Sequence, residues 1–364
     1  MGPERNRTGT VDVTSGHIPS LDGFRAVSIL VVFASHVGFG DTVPGGFGVT
    51  VFFFISGFLI TTLLCRETDR YGRISFRAFY ARRVLRLMPP LLCALGLSYL
   101  LLATGIAIGG FDWTTLISQI FFFFNYLYIY GQSETVLGLG VLWSLSVEEH
   151  FYILWPLVFL VFAGPVRRLR WIWPLILVFT LWRAVHYWGL GTGFEGIYYL
   201  SDTRLDSLLV GCALALLMWR DRIPVRAGRP VVMASVLALS FAALLVSFLW
   251  RDPAFRSVLR YAVQGLALMP IFYYAVTRPD LWLFRPLNWG WMQRIGVYSY
   301  SIYLIHLVLI RTMDFGAFAG TGMLWKVICA GGLSVLYAAA IHQLVERPLL
   351  PLRRRITGHL PVPR

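Results

Sequence analysis

The most constraining feature of this 364-residue chain is a series of long apolar runs separated by short loops rich in arginine. Hydrophobic residues make up 57% of the sequence and charged residues only 14%, well below the ~25% charged fraction of soluble domains. Eleven runs are candidates for helices of ~20 residues that cross a bilayer. They lie near residues 22–40, 46–65, 84–106, 114–130, 150–164, 170–188, 204–219, 231–250, 258–277, 294–312 and 322–344. The pattern predicts an all-α integral membrane protein.

The distribution of arginine predicts which loops face the cytoplasm, because basic loops of membrane proteins remain on that side. The basic segments are 66–83, 165–170, 220–230 and the tail with Arg353, Arg354 and Arg355. Residues 131–149 contain glutamates but no Lys or Arg, which places them outside. Residues 131–149 can lie outside and the basic segment 165–170 inside only if 114–130 does not cross the membrane. We therefore expect a re-entrant or interfacial segment near 114–130 and a bundle of about ten transmembrane helices, with both termini cytoplasmic; a true eleventh crossing is the alternative.

The net charge of +14 does not indicate a nucleic-acid-binding protein. Lys326 is the only lysine, and the arginines cluster in short loops as the positive-inside rule requires. The four cysteines are widely spaced in apolar context without a CxxC pair, so we expect neither a disulfide framework nor a metal site.

The chain is expected to form one membrane domain. The polar N-terminal tail, residues 1–20, lacks the apolar core and cleavage pattern of a removed signal peptide, so the first helix should act as an uncleaved membrane signal. The membrane domain would cover residues 21–350, and a basic cytoplasmic tail would follow at 351–364.

An arginine and a histidine in the first apolar run are the leading candidates for function. Arg25 and His36 are eleven residues apart, almost three helical turns, so both would lie on one helix face, ~16 Å apart. Charge at bilayer depth costs about 2.5–3.5 kcal/mol per residue unless it lines a cavity or finds a partner. We expect His36 to be a general base and Arg25 to hold an anion. The alternatives are a packing histidine and an anchoring pair of Arg25 with Asp22.

A second group of candidates lies in WSLSVEEHFY at 143–152, at the outer end of a predicted span. Glu148 is expected to face the cavity and to orient a histidine or bind an acceptor. Adjacent helix positions point about 100° apart, so Glu149 is expected to be solvated at the interface instead.

Other polar or aromatic residues in predicted spans are expected to line the cavity or to contact the acceptor. They are Trp143, Ser146, Arg204, Asp206, Tyr303 and His306. For Arg204, neutralisation by flanking acids for packing is an equal alternative. A serine nucleophile, Ser144 or Ser146 assisted by His150, is less favoured because the chain has no GxSxG elbow there.

Three further arginines, Arg82, Arg83 and Arg86, begin a predicted span beside a cytoplasmic loop. The positive-inside rule alone accounts for arginines at this position. The functional interpretation is a basic mouth that binds an anionic, phosphorylated donor arriving from the cytoplasm.

Seven strings, taken in order, resemble the membrane acyltransferase 3 proteins, which are bacterial integral-membrane O-acyltransferases. The strings are LDGFR at 21–25 with His36 downstream, GGFGVTVFFFISGFLI at 45–60, ARRVLRLMPP at 81–90, WSLSVEEHFY at 143–152, TRLDSLLVGCALA at 203–215, YSIYLIH at 300–306 and VERPL at 345–349. Each string alone is a weak signal, but the ordered set covers about residues 18–350 and is highly specific.

The resemblance implies transfer of an acyl group, commonly acetyl, from acyl-coenzyme A to a hydroxyl of an extracytoplasmic glycan or lipid-linked sugar. The alternative acceptor is a small secondary metabolite such as a macrolide. The family's motifs map to Arg25 and His36, to Arg82, Arg83 and Arg86, and to the segment holding Glu148. Acyl-coenzyme A would be a donor substrate and not a permanently bound cofactor. The protein would lie among the lipids of the inner (plasma) membrane.

Some relatives carry a fused periplasmic esterase-like domain. We expect that passing the acyl group to such a domain would need a separate partner here. The rival from another class is a proton-coupled transporter, because intramembrane arginine, histidine and glutamate also form proton relays. Transporters are often built from two related halves, and this sequence shows no such duplication.

Overall fold

The computed structural model describes residues 18–131, 133–162, 164–219, 230–315 and 322–358. The described residues are 83% helical and contain no strand, which confirms the all-α prediction. The α-helices in chain order are α1 (Leu21–Ala34), α2 (Gly45–Tyr71), α3 (Phe76–Ala103), α4 (Trp113–Ile120), α5 (Phe124–Tyr130), α6 (Trp143–Val161), α7 (Pro165–Ala184), α8 (Phe194–Tyr199), α9 (Leu205–Trp219), α10 (Pro230–Leu249), α11 (Arg260–Thr277), α12 (Gly290–Asp314), α13 (Met323–Ile341) and α14 (Arg347–Gly358).

Within these residues, seven helical segments are long and apolar enough to cross a membrane, as expected of a multi-pass membrane protein. They are Leu21–Phe39, Gly45–Tyr71, Phe76–Ala103, Leu139–Val161, Pro230–Leu249, Gly290–Asp314 and Met323–Arg353. Helices α7, α9 and α11 have 20, 15 and 18 residues and do not meet the same criteria of length and apolarity together. The count of about ten spans stays a prediction.

The segment predicted to be re-entrant or interfacial is divided into two short helices. Helix α4 has 8 residues and α5 has 7, so each extends only ~10–12 Å at 1.5 Å per residue, far less than a bilayer core. The break between them contains Phe122, whose φ of 62° is left-handed and interrupts helical geometry. Neither helix can span alone, while the depth of the segment in the membrane stays a prediction.

Helix α2 lies at the centre of the bundle. In the most apolar 18-residue stretch of α2, 72% of the residues are buried. The corresponding fraction in α10 is 22%, so α10 lies at the edge of the bundle. Helix α2 packs against α1, α6, α9 and α11. At Gly57 a Cβ atom would meet the backbone carbonyl of Leu208 on α9, so only glycine permits this approach.

A buried glutamate fixes the turn between α2 and α3. Glu67 is 7% exposed; its Oε1 accepts a hydrogen bond from the Ser75 backbone N–H at 2.7 Å, and its Oε2 pairs with Arg82 Nη2 at 2.9 Å. Ser75 in turn caps α3 by accepting the Ala78 N–H at 3.3 Å. This contact sets the start of α3 against the end of α2.

Parts of the sequence-based topology lie outside the described residues. These parts are residues 1–17 of the N-terminal tail, 220–229 of the third basic loop and 359–364 of the basic tail. The domain boundaries at 20 and 350 therefore stay predictions.

Gly296 provides a test of how closely α12 and α1 must pack. A Cβ atom at Gly296 would overlap the Asp22 backbone carbonyl on α1, whereas a Cβ at Gly332 of α13 would meet nothing. Overpacking of this kind costs about 1–3 kcal/mol. We expect Gly296→Ala to lower the thermal unfolding temperature of the detergent-solubilised protein and Gly332→Ala to leave it unchanged or raise it slightly, because Ala favours helix over Gly. Equal melting temperatures for the two variants would contradict the close packing of α1 on α12.

Candidate active site

A cavity of about 350 Å³ opens between α1, α2, α3, α6 and α12. Its volume lies in the range of about 300–1,000 Å³ that is usual for small-molecule sites. Charged and hydroxyl side chains form much of its wall. They are Asp22, Arg25, Ser56, Arg66, Arg83, Arg86, Ser144, Glu148, Glu149, Tyr152, Ser299, Tyr300 and Tyr303.

One end of the cavity carries four arginines. Arg25 comes from the second turn of α1, Arg66 from the last turns of α2, and Arg83 and Arg86 from the start of α3. These helix ends meet because α1, α2 and α3 run in alternating directions. Four guanidiniums facing one space form a site suited to a phosphate or carboxylate ligand.

The arginines differ in how much of their charge the protein itself neutralises. Arg25 Nη1 lies 3.7 Å from Asp22 Oδ1, so the anchoring pair considered from the sequence exists while both residues also line the cavity. Arg83 stacks on the Tyr152 ring at 3.5 Å, and its buried Nε has no hydrogen-bond partner among the residues described. Neither Arg83 nor Arg86 forms an ion pair among the residues that the structure describes. Arg82 points elsewhere, to Glu67.

Glu148 is held rigidly in the cavity wall. Ser56 of α2 donates a hydrogen bond to its Oε1 and Tyr152 donates one to its Oε2, each at 3.1 Å. The carboxylate therefore bonds hydroxyl groups and does not contact His36. Glu149 also lines the cavity, so both glutamates face it and not Glu148 alone, while the solvation of Glu149 stays a prediction. Five helices surround the cavity, and it is wide enough for several neighbouring residues of α6 to line it.

A hydroxyl pair lies on the cavity wall towards α12. Ser144 Oγ lies 2.8 Å from Tyr303 Oη, which donates to the Val141 carbonyl at 2.9 Å. His150 bonds Ser201 instead, at 2.7 Å, so the serine–histidine arrangement considered from the sequence does not form with Ser144. The Ser146 hydroxyl is buried and without a hydrogen-bond partner among the described residues.

A pair of histidines lies just beyond Tyr303. His36 Nδ1 is 2.9 Å from His306 Nε2, and the two rings are stacked with their planes 18° apart. His306 is fully buried, and its ring centroid is 5.5 Å from that of Tyr303. The sequence could suggest each histidine but not their contact, because 270 residues separate them.

The cavity wall includes Arg25 but not His36. The α-helical pattern predicts both side chains on one face of α1; His36 lies at the start of a π-helical turn, Ser35–Phe39, and its ring packs on His306 of α12. The imidazole points towards α12 and reaches the cavity wall only through His306 and Tyr303.

Four other predicted site residues, Trp143, Ser146, Arg204 and Asp206, are buried behind the cavity wall. Arg204 lies 3.9 Å from the Tyr261 ring centroid and bonds Thr50 at 3.3 Å. Asp206 pairs with Arg183, a fully buried arginine of α7. A contact of these four residues with an acceptor stays a prediction.

Sequence reasoning missed several residues of the site. Ser56, Tyr152 and Tyr300 line the cavity, and Arg183 neutralises Asp206. A signal existed for Arg183, because an arginine inside an apolar run needs a partner. The tyrosines gave none, because aromatic residues are frequent throughout this chain.

Comparison with known proteins identifies the family. The acyltransferase 3 family, described as an acyltransferase domain, matches residues 18–343. The chain belongs to this family, and the resemblance found in the seven strings is confirmed.

The matching relatives include bacterial O-acetyltransferases of greater length. OatA of Listeria monocytogenes, a peptidoglycan O-acetyltransferase, is 28% identical in an alignment that covers 92% of this chain and 56% of OatA. YrhL of Bacillus subtilis, provisionally named a peptidoglycan O-acetyltransferase, is 28% identical over 92% of this chain and 55% of its own length. The chain thus spans just over half the length of these relatives. No solved structure matches the chain.

The buried pair of Asp206 and Arg183 can be tested separately from the cavity. Asp206→Ala leaves a buried guanidinium without its counter-ion, which costs about 3–5 kcal/mol. The exposed pair of Arg278 with Asp280 is a matched control, where loss of the carboxylate costs about 0–1 kcal/mol. We expect Asp206→Ala, but not Asp280→Ala, to unfold at clearly lower denaturant concentration in mixed micelles. Similar midpoints would show that Asp206 is not needed for neutralisation.

Proposed function

We propose that this chain is a membrane-embedded O-acyltransferase that moves an acyl group, most simply acetyl, from acyl-coenzyme A to a hydroxyl of an extracytoplasmic glycan. The observation that carries the proposal is the cavity, with four arginines at one end and a fixed carboxylate with hydroxyl groups along its wall. Membership of the acyltransferase 3 family supports the reaction class. The name of OatA supports a cell-wall glycan as the acceptor.

In this proposal the arginine end of the cavity binds the phosphates of coenzyme A. Guanidinium groups suit this task because they donate planar pairs of hydrogen bonds to phosphate oxygens. Neither Arg83 nor Arg86 forms an ion pair among the described residues, so both guanidiniums can bind an anionic ligand in the cavity. The basic segments beside this end, including 66–83, would face the cytoplasm, where acyl-coenzyme A is present.

The acyl thioester would extend along the cavity to Ser144 and Tyr303 and then past them to the histidine pair, because His36 itself does not line the cavity. The acceptor would approach from the outer side. His36 would take the proton of the acceptor hydroxyl, whose oxygen forms a bond to the thioester carbonyl carbon while the carbon–sulfur bond breaks. The proton on His36 then passes to the sulfur, so the products are the O-acyl ester and free coenzyme A. Holding both substrates in place can contribute about 7–11 kcal/mol to lowering the barrier.

In this scheme Glu148 would bind an acceptor hydroxyl or the donor's amide groups, because its carboxylate is already oriented by Ser56 and Tyr152. The protein would lie in the plasma membrane with both termini cytoplasmic. A transporter with the same polar cavity would move its cargo without producing free coenzyme A. Release of coenzyme A that depends on an acceptor therefore separates the two functions.

The donor site can be tested with two neighbouring arginines of different environment. Arg86→Gln removes a cavity charge and is expected to raise KM for acetyl-coenzyme A about tenfold or more, which corresponds to ~1.4 kcal/mol per factor of ten. Arg82→Gln removes the partner of Glu67 and is expected to lower thermal stability while leaving KM near the wild-type value. Both constants are measured with solubilised protein by release of free coenzyme A. A KM that rises only in Arg82→Gln would contradict the proposed donor site.

The base is tested by removing its imidazole. His36→Ala is expected to lower acetyl transfer about 10²–10⁴-fold, the usual contribution of a general base. The measurement uses isolated membranes supplied with radiolabelled acetyl-coenzyme A, at matched protein abundance. His342→Ala is the control, because that histidine pairs with Glu346 and neither of the two residues lines the cavity. Transfer at the wild-type rate by His36→Ala would exclude His36 as the base.

A further inference from the structure

The contact between His36 and His306 fixes the position of every ring proton in the pair. His306 is fully buried, and its Nδ1 lies 2.8 Å from the backbone carbonyl oxygen of Tyr303. A carbonyl oxygen can only accept a hydrogen bond, so Nδ1 of His306 must carry the proton. In a neutral imidazole the other ring nitrogen then has a lone pair, so Nε2 of His306 is an acceptor.

This arrangement determines the protonation of His36. Its Nδ1 lies 2.9 Å from Nε2 of His306, an atom that can only accept, so Nδ1 of His36 must be the donor. In neutral His36 the lone pair is then on Nε2, the nitrogen on the far side of the ring from His306. A general base needs a free lone pair, and the geometry leaves only this atom available.

No other group among the described residues performs this task for His36. Glu148, the carboxylate that sequence analysis suggested for orienting a histidine, bonds Ser56 and Tyr152 instead. The ion pairs between histidine and acid in the described chain involve His186 and His342 only. A neutral imidazole pair without a nearby carboxylate also avoids burying an uncompensated charge.

We propose that His306 is a positioning residue that fixes His36 in the Nδ1–H form, so that Nε2 of His36 is the atom that accepts the proton of the acceptor hydroxyl. The proposal deepens the proposed function and rests on it for the catalytic role of His36. In this proposal His306 acts through His36 and is anchored to the backbone of its own helix.

A spectroscopic experiment tests the protonation state without relying on activity. The full-length protein is labelled with ¹⁵N-histidine in detergent micelles, and the His36 resonances are identified by their loss in His36→Ala. The imidazole ¹⁵N shifts distinguish the Nδ1–H from the Nε2–H form. We expect the Nδ1–H form in the wild type and a change towards the Nε2–H form or a mixture in His306→Leu. A wild-type His36 in the Nε2–H form, or one unchanged in His306→Leu, would overturn the proposal.

Three variants separate positioning from packing in the kinetics. His306→Gln retains an acceptor oxygen near the former Nε2, His306→Asn retains a donor near the former Nδ1, and His306→Leu retains neither. We expect kcat to fall on the order of 10- to 100-fold in the Leu and Asn variants, by analogy with the loss found when the hydrogen-bond partner that orients a metal-ligating histidine is removed. KM for acetyl-coenzyme A should stay unchanged, and the Gln variant should recover most of kcat.

Recovery by Asn instead of Gln would overturn the proposal, because the bond to the Tyr303 carbonyl would then be the part that matters. Equal loss in all three variants with poor recovery of folded protein would indicate a packing role and would also overturn it. If the ¹⁵N shifts change as expected while kcat stays at the wild-type value, His306 fixes the tautomer but His36 is not the base. That last result separates failure of the proposed function from failure of the positioning role.

Discussion

The cost of keeping charged side chains away from bulk water governs the arrangement of this helical bundle. Within apolar helices such charge must either face an enclosed polar space or meet a partner. Arg25, Arg83 and Arg86 face the cavity, while Arg183 and Asp206 neutralise each other behind it. The packing of α1, α2, α3, α6 and α12 satisfies this requirement, because it gives some of these charges a polar cavity to face and others a partner of opposite charge.

The same constraint explains why much of the architecture can be predicted from sequence. Long apolar runs and arginine-rich loops predict a multi-pass helical protein, because lipid tolerates few other arrangements of the backbone. The charge rule also singled out 114–130, which the structure divides into α4 and α5 around Phe122. The number of crossings does not follow in the same way, because α7, α9 and α11 are shorter or more polar than the seven segments that are long and apolar enough to cross.

The site itself was only partly predictable, because helix periodicity is local and the decisive contacts are not. The spacing of Arg25 and His36 suggested one shared face towards the cavity, but the His36 imidazole packs on His306 of α12 and does not line the cavity. Neighbouring arginines also differ in their surroundings, because Arg82 pairs with Glu67 while Arg83 lines the cavity. The pairing of His36 with His306 depends on how α1 packs on α12, and no pattern within either segment encodes it.

The arginines and the hydroxyl pair of Ser144 and Tyr303 line different parts of the same cavity. If the arginines hold the phosphates of the donor, they contact a part of the molecule that thioester cleavage leaves unchanged. The spent carrier would then compete for the same anchor as the loaded one. Discrimination between substrate and by-product must therefore come from the small acyl end, and the ratio of acylated to free coenzyme A in the cell would set the pace of modification.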